Sequence, residues 1–454
     1  MNKKLITLMV AALALLSARG QVSFTGVGEH PVIEVTPETT TGLNKIYVVF
    51  DTDGVGMTFN SSTGEPATWE SYDYHDGHLE MEPIPGVRWN GMETTLPQVI
   101  PNIGYKITEG TTPYFCWVVN YADYYLELNA MTENSEAPCN LLTINVDGHG
   151  DAIPYYTTNG LRQVLDREIK LNYNTLVWNE TDSIWKEEPV VESFAALDQG
   201  LEIVPPLCNT AFMISGDRFL EQWGIGTSAE GDYYYTQAVA CQSVAVQKGI
   251  ENNPEDAGGN EPVSAPADFV FTGYPTDAVV YRIWQMATDP EFENVILQWN
   301  QDVVEYTFMD AGSYYMRYMV ANAAGTCEDY GEVFQISVSE SQLGKGAEGK
   351  IPNAFSPGST EGVNDIWKVA YKSLVEFHCW IFNRWGTLIY EFTDPGGGWD
   401  GRYRGRLVDP GVYYYVITAK GSDGVPHNKR GDITILRYNK RGGGTSTGEG
   451  GAEY

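Results

Sequence analysis

Along most of the chain, apolar residues come in short runs rich in Tyr, Val, Ile and Phe. Examples are Lys45–Phe50 (KIYVVF), Phe115–Val119, Tyr125–Leu128, Tyr233–Val239 and Tyr314–Val320 (YYMRYMV). Turn pairs punctuate them: Asp53-Gly54, Asn90-Gly91, Asp147-Gly148, Asn159-Gly160 and Asp423-Gly424. Short β-prone runs between Gly- and Asn-containing turns predict strands, and their close spacing predicts sandwiches rather than βαβ units. Helical periodicity is poor. Leu161–Ile169 and Val190–Leu197 are the two segments predicted to give a helical turn or two.

The breaks between runs divide the chain. Residues 21–146 read as a first sandwich, and 147–248 as a second that begins after a loop at Asp147-Gly148-His149-Gly150. Residues 249–265, rich in Pro, Gly, Asn and Glu, read as a linker. A third module spans 266–338, residues 339–349 form another linker, and 350–438 form the last module. The tail 439–454 (NKRGGGTSTGEGGAEY) is of low complexity. The fold class is therefore all-β, with tandem Ig-like or PKD-like sandwiches and a C-terminal β-sandwich.

The first twenty residues depart from this pattern. Lys3 and Lys4 precede an apolar run from Leu5 to Leu16, and small residues follow at Ser17, Ala18 and Gly20. This is the pattern of a cleaved export signal, with the mature start near Gln21. The run is too short to span a bilayer, which needs about 20 residues. Direct membrane insertion is not expected.

Charge then narrows the partners. The chain of 454 residues has 60 Asp+Glu against 28 Lys+Arg, a net charge of −32. Residues 21–349 hold 49 acids against 12 bases, net −37, whereas 350–441 hold 9 acids against 13 bases, net +4. A body this acidic repels phosphate backbones and anionic headgroups, so nucleic acid is excluded as a partner.

Six cysteines suit an oxidising compartment, and no CxxC or Cys/His spacing suggests a metal. Pairing within modules favours Cys116 with Cys139 and Cys208 with Cys241, leaving Cys327 and Cys379 as buried thiols.

Two modules carry recognisable residues. In the third, Tyr306-Thr307-Phe308, Ala311-Gly312-Ser313-Tyr314, Val320, Asn322, Gly325 and Cys327 read as strand, corner and strand. This resembles PKD/Ig-like domains of bacterial surface proteins, which implies a spacer or binding platform. The last module opens with Ile351-Pro352-Asn353-Ala354-Phe355-Ser356-Pro357, followed by Gly362-Val363-Asn364-Asp365. Then come Asn383-Arg384-Trp385-Gly386, Trp399-Asp400-Gly401, Gly411-Val412-Tyr413 and Gly431 through Arg437. Most of these are turn and core residues of a small sandwich: Asp400-Gly401 is a turn signal, and Arg384 beside Trp385 offers a cation to a ring.

In that order, the blocks resemble the gliding-motility-associated C-terminal domain, the type B sorting domain of the type IX secretion system of Bacteroidetes. The resemblance implies export to the outer membrane or cell surface. It also implies partners in the outer-membrane translocon and in shuttle or adaptor proteins of the SprF or PorV type. The loop around Asn364 and the last strand are the expected recognition surface. Two departures stand out. The loop Gly358–Gly362 lacks the family's usual Asp, and a tail follows Tyr438 where members typically stop.

Enzymatic motifs are missing from the pattern: there is no P-loop or HExxH. No cofactor, catalytic residue or metal site is expected. His75-Asp76-Gly77-His78 reads as a hairpin tip, and Asp51-Thr52-Asp53-Gly54 as a β-turn that departs from a calcium loop at Val55. Tyr121, Tyr124 and Tyr125, and Tyr233–Tyr235, read as strand-face or core aromatics, with sugar stacking as the rival reading. Asp182-Ser183-Ile184 resembles a Bacteroidetes O-glycosylation motif. The expected function is that of a non-enzymatic exported protein associated with the translocon. The alternative is an adhesin that binds glycans or host proteins through its N-terminal sandwiches.

Overall fold

A computed structural model describes residues 22–75, 78–197, 200–248, 262–346, 348–358 and 363–436. It divides into two compact units, one ending at Ala238 and one beginning at Val239.

In the N-terminal unit, a four-stranded sheet (Val22–Thr25, Gly56–Asn60, Glu93–Leu96, Arg88–Trp89) accompanies a six-stranded one. The latter runs in the order Ile33–Val35, Lys45–Val49, Thr112–Asn120, Ile103–Glu109, Thr68–His75, His78–Pro83. Its second and third strands are parallel, with Cys116 opposite Lys45. Both faces of that pair are covered. Tyr47, Val49, Cys116 and Val118 enter one core, while Ile46, Val48, Trp117 and Val119 enter or border another. That burial explains why these strands read as unbroken apolar runs rather than as alternation.

The second core continues without interruption into the sheets that follow. These are Glu127–Ala137, Leu141–His149 and Leu201–Ile203, and Ile184–Phe194, Ile169–Asn179, Thr210–Ser215 and Ser228–Tyr234. The division expected after Val146 falls inside the strand Leu141–His149. Asp147-Gly148 is not a turn. It sits opposite a register shift between Leu128 and Ala130, where a Cβ on Gly148 would lie 1.9 Å from the Glu127 carbonyl oxygen. The glycine thus serves a bulge, which uses the same residue type as a turn.

The two segments predicted to be helical are strands. Arg162–Leu165 pairs with Ile153–Tyr156, and Ile184–Phe194 pairs along its length with Ile169–Asn179. Cross-strand pairing overrode their weak local signal. Among the described residues the one α-helix is Arg218–Gln222, capped by the Asp217 carboxylate, which accepts from the Phe219 and Leu220 amides.

Asp217 also anchors this unit. It is fully buried and paired with Arg167, Nε to Oδ2 at 2.8 Å. Arg167 further donates to the carbonyl oxygens of Asp151 and Tyr124 and to the Tyr121 hydroxyl, which itself donates to Asp217. The pair ties the end of the first sandwich to the second.

A second buried carboxylate organises a loop. Glu109 accepts five hydrogen bonds from the hydroxyls of Ser61, Ser62 and Thr63 and the amides of Ser62 and Thr63. The Ser61 and Ser62 bonds chiefly hold its pKa down at about 2, from an ordinary 4.5. A depressed folded pKa contributes stability that is complete above 4.5 and fades as pH falls towards 2. Amide protection at Ser62 and Thr63 is therefore expected to fall over that window in hydrogen exchange. Glu109→Gln should abolish the pH dependence; unchanged dependence would show that Glu109 does not hold the loop.

In the C-terminal unit, the third sandwich pairs Cys241–Lys248 with Ala267–Pro275 and that with Val303–Phe308. Its other sheet centres on Tyr281–Ala287 and Gly312–Ala321. Phe271, Trp284, Met316 and Tyr318 fill the space between. Cys241–Lys248, expected to close the second sandwich, belongs here, so this module starts at about residue 241. Residues 249–261 of the expected linker lie outside the described residues. The linker expected at 339–349 contributes Gln342–Leu343, which pairs with Tyr371–Lys372 and buries Leu343 in the last module.

Candidate functional site

The last module is a five-stranded sheet in the order Ala354–Phe355, Pro426–Ile435, Gly411–Gly421, Leu374–Phe382, Leu388–Phe392. The first pair is parallel and the rest antiparallel. Alternation sets its faces. Cys379 and Ile381 lie opposite Ile417 and Tyr415 and point to the core, whereas Tyr414 and Val416 are exposed. Trp367 and Trp399 cover the core and bridge each other through reciprocal backbone bonds of 2.9 Å.

Most of the motif residues turn out to build this module. The Pro352 carbonyl accepts the Trp367 indole N–H, and the Asn353 carbonyl accepts the Thr434 amide. Phe355 is buried against the Trp399 ring, 5.5 Å between centroids. Pro357 lies where a Cβ on Gly401 would sit 2.6 Å away, so the Asp400-Gly401 turn needs glycine for space as well as for its φ of +76°. Asn364 has φ +54° and accepts the Ser356 amide on its carbonyl. Asp365 follows it at the start of the segment leading to Trp367. The Tyr413 hydroxyl donates to the Asp409 carbonyl and its ring meets Trp399 at 5.3 Å. Gly431 leaves room for Tyr415, whose hydroxyl would lie 2.7 Å from any Cβ there. Gly411 opens the strand that carries Tyr413. Gly362 and Arg437 lie outside the described residues, as do positions 359–361 of the departing loop and the tail.

Arg384 and Trp385 stand out at a hairpin tip. Asn383 accepts the Trp385 and Thr387 amides on its side chain, and Gly386 closes the turn at φ +77°. This holds Trp385 at the hairpin tip with 74% of its surface exposed and the Arg384 guanidinium 4.2 Å from its ring centroid. Trp and Arg are both among the residue types enriched at binding hot spots.

Neither expected disulfide pair forms: Cys116, Cys208 and Cys241 carry thiols. Cys116 is buried in the core, Cys139 is disulfide-bonded but not to it, and Cys208 donates to the Asn174 carbonyl. Cys379 is a buried thiol, while Cys327, read as another, is disulfide-bonded. Burial pushes the Cys379 thiol up to about 12 and raises Cys116 and Cys241 as well, which keeps all three protonated and unreactive at neutral pH.

His75 and His78 are cross-strand neighbours in the backbone register, and Asp76-Gly77 between them lie outside the described residues. Asp51–Gly54 forms a turn closed by the Val55 amide on the Thr52 carbonyl. Among the described residues no group of three or more His, Cys, Asp or Glu is placed to hold a metal ion, and no helix is long and apolar enough to cross a membrane. Tyr121 is buried beside Arg167, whereas Tyr233 and Tyr235 are exposed with their rings 5.2 Å apart. Ser183 sits at φ +53° in the hairpin loop before Ile184.

Gly401–Arg406 (GRYRGR) folds into a hairpin that gathers cations beside Lys368. The density of arginines was visible in the sequence, but Lys368 joins them only in three dimensions.

Residues 349–435 match the CHU_C type IX secretion signal domain, and residues 131–231 match a fibronectin type III domain. No curated protein matches the chain. Among solved structures, a tetra-tandem repeat from the extending region of a large adhesion protein is 9% identical, covers 85% of this chain and 96% of its own, and has a TM-score of 0.21. The chicken CNTN1 FN1–FN3 domains are 11% identical, cover 69% and 97%, and also score 0.21. The chain thus carries a type IX sorting domain of the gliding-motility type behind tandem β-sandwiches, which marks it for export to the cell surface or for secretion.

Proposed function

We propose that this exported chain stays with the type IX outer-membrane translocon as a non-enzymatic component or secretion-signalling protein of the PorA kind, docked through its last module. The observation that carries this reading is the matched secretion signal domain with Trp385 and Arg384 held out from its hairpin tip. The docking partners are the translocon and SprF- or PorV-type adaptors, and recognition between surfaces is all the function requires. The acidic sandwiches act as a platform.

Purified outer-membrane complexes are expected to contain the full chain with residues 349–435 still attached. Trp385→Ala should reduce that co-purification without altering the fold, because the side chain packs on little besides Arg384. Recovery of the protein only from the medium, with the last module removed, would reject the component reading. A second reading, an adhesin, draws on the exposed Tyr233 and Tyr235 rings, which suit stacking on sugars. The full chain on a glycan array tests it, and silence there removes it.

A further inference from the structure

The last module contains an open cleft of about 620 Å³ beside the strand Leu388–Phe392, the end strand of its sheet. Ile389 and Tyr390 of that strand line it, together with Lys368, Arg402 and Arg404. Asp400 is the one carboxylate in the lining, and it pairs with Arg402 at 3.3 Å. Among the described residues no carboxylate bridges Lys368 or Arg404. The cleft is thus cationic in a chain whose net charge is −32. Gathering like charges costs free energy unless a counter-charge arrives.

Backbone geometry sharpens the point. Arg402–Tyr403 and Arg406–Leu407 pair around the two-residue loop Arg404-Gly405, with φ of +51° and +80°. Asn, Asp or Gly suits the first position of such a loop, and arginine there is strained. Such backbone strain persists only where the surrounding structure holds it in place. Gly398 makes the same argument from space: a Cβ there would lie 2.7 Å from Ile366 and 2.9 Å from Lys368 Cγ. Only glycine lets the chain pass this close beneath the cation.

We propose that this cleft binds an extended, acidic segment of a protein partner, laid along the free edge of Leu388–Phe392 with its carboxylates on Lys368 and Arg404. The inference rests on the sorting reading and names the chemistry of its partner. Charge complementarity selects carboxylates. The apolar Ile389 and Tyr390 lining and the open sheet edge select a peptide over a small anion, since a strand can add its backbone there while alternate side chains fill the cleft. Asp400 disfavours a dense phosphate dianion but accepts peptide N–H groups.

The test uses the full mature chain and fluorescent peptides of alternating Glu and Val or Lys and Val, read by anisotropy. The acidic peptide is expected to bind, to weaken with added salt, and to lose about tenfold or more in affinity when Arg404→Gly is combined with Lys368→Gln. Arg404→Gly relieves the strained turn, so melting of the variant should be unchanged or raised, which separates lost binding from lost folding. Equal binding of both peptides, an unaffected variant, or tighter binding of inorganic phosphate or polygalacturonate would each overturn the proposal. Normal export of a variant that no longer binds the acidic peptide would also reject the cleft as a docking site, while leaving the sorting reading intact.

Discussion

Replacing Trp399 with alanine is expected to unfold the C-terminal module and stop export of the whole chain. Trp399 is fully buried and packs on Phe355, Tyr413 and Tyr390 at centroid distances of 5.5, 5.3 and 6.5 Å. Its indole N–H donates to the Arg402 carbonyl, and its backbone bridges Trp367 in both directions. Truncating a buried Trp costs about 3–5 kcal/mol, a large share of the roughly 5–15 kcal/mol that stabilises a domain. The loss also reaches the cationic hairpin, because Trp399 holds Arg402 from below. Limited proteolysis read by intact mass should show residues 349–435 cleaved in Trp399→Ala and resistant in the unaltered chain. Trp385→Ala is the control, since that side chain is exposed and its loss should leave protease resistance unchanged. Equal resistance of Trp399→Ala and the unaltered chain would refute the assignment of Trp399 as the module's central support.

The second large effect belongs to the N-terminal unit. Arg167→Met should destabilise it by about 3–5 kcal/mol, because a fully buried Asp217 is left without its cation. Methionine fills much of the volume but offers none of the bonds to Asp151, Tyr124 and Tyr121. For a unit of this size the melting transition should fall by about 10 °C or more in calorimetry. Adding Asp217→Asn is expected to restore part of the loss. It removes the stranded charge while keeping an oxygen for the Phe219 and Leu220 amides that Asp217 caps. A double variant as unstable as the sum of the two single ones would show that charge is not what couples these residues.

The motif blocks of the last module were legible because their spacing is set by turns. Asn383, Gly386, Asp400 and Gly401 each occupy a position whose dihedrals or side-chain bonding only a few residue types satisfy. Bulges were not legible in the same way. Asp147-Gly148 carries a turn signature yet serves a strand, since both geometries call for a residue without a Cβ. The cysteine pairs failed for a related reason. Sharing a module says nothing about which face of a strand a thiol occupies, and Cys116 faces inward.

The residues by themselves determined that the chain is built of strands and that its last module is a sorting signal, because β-prone runs, turn chemistry and motif order are local properties. They also determined the charge contrast between an acidic body and a basic end. Only the tertiary structure decided where the sandwiches divide, since a core shared across Val146 is made of contacts between distant strands. It alone paired Arg167 with Asp217, fifty positions apart, and brought Lys368 beside Arg402 and Arg404. Side-chain charges act through space, and which of them meet is settled by packing rather than by order along the chain.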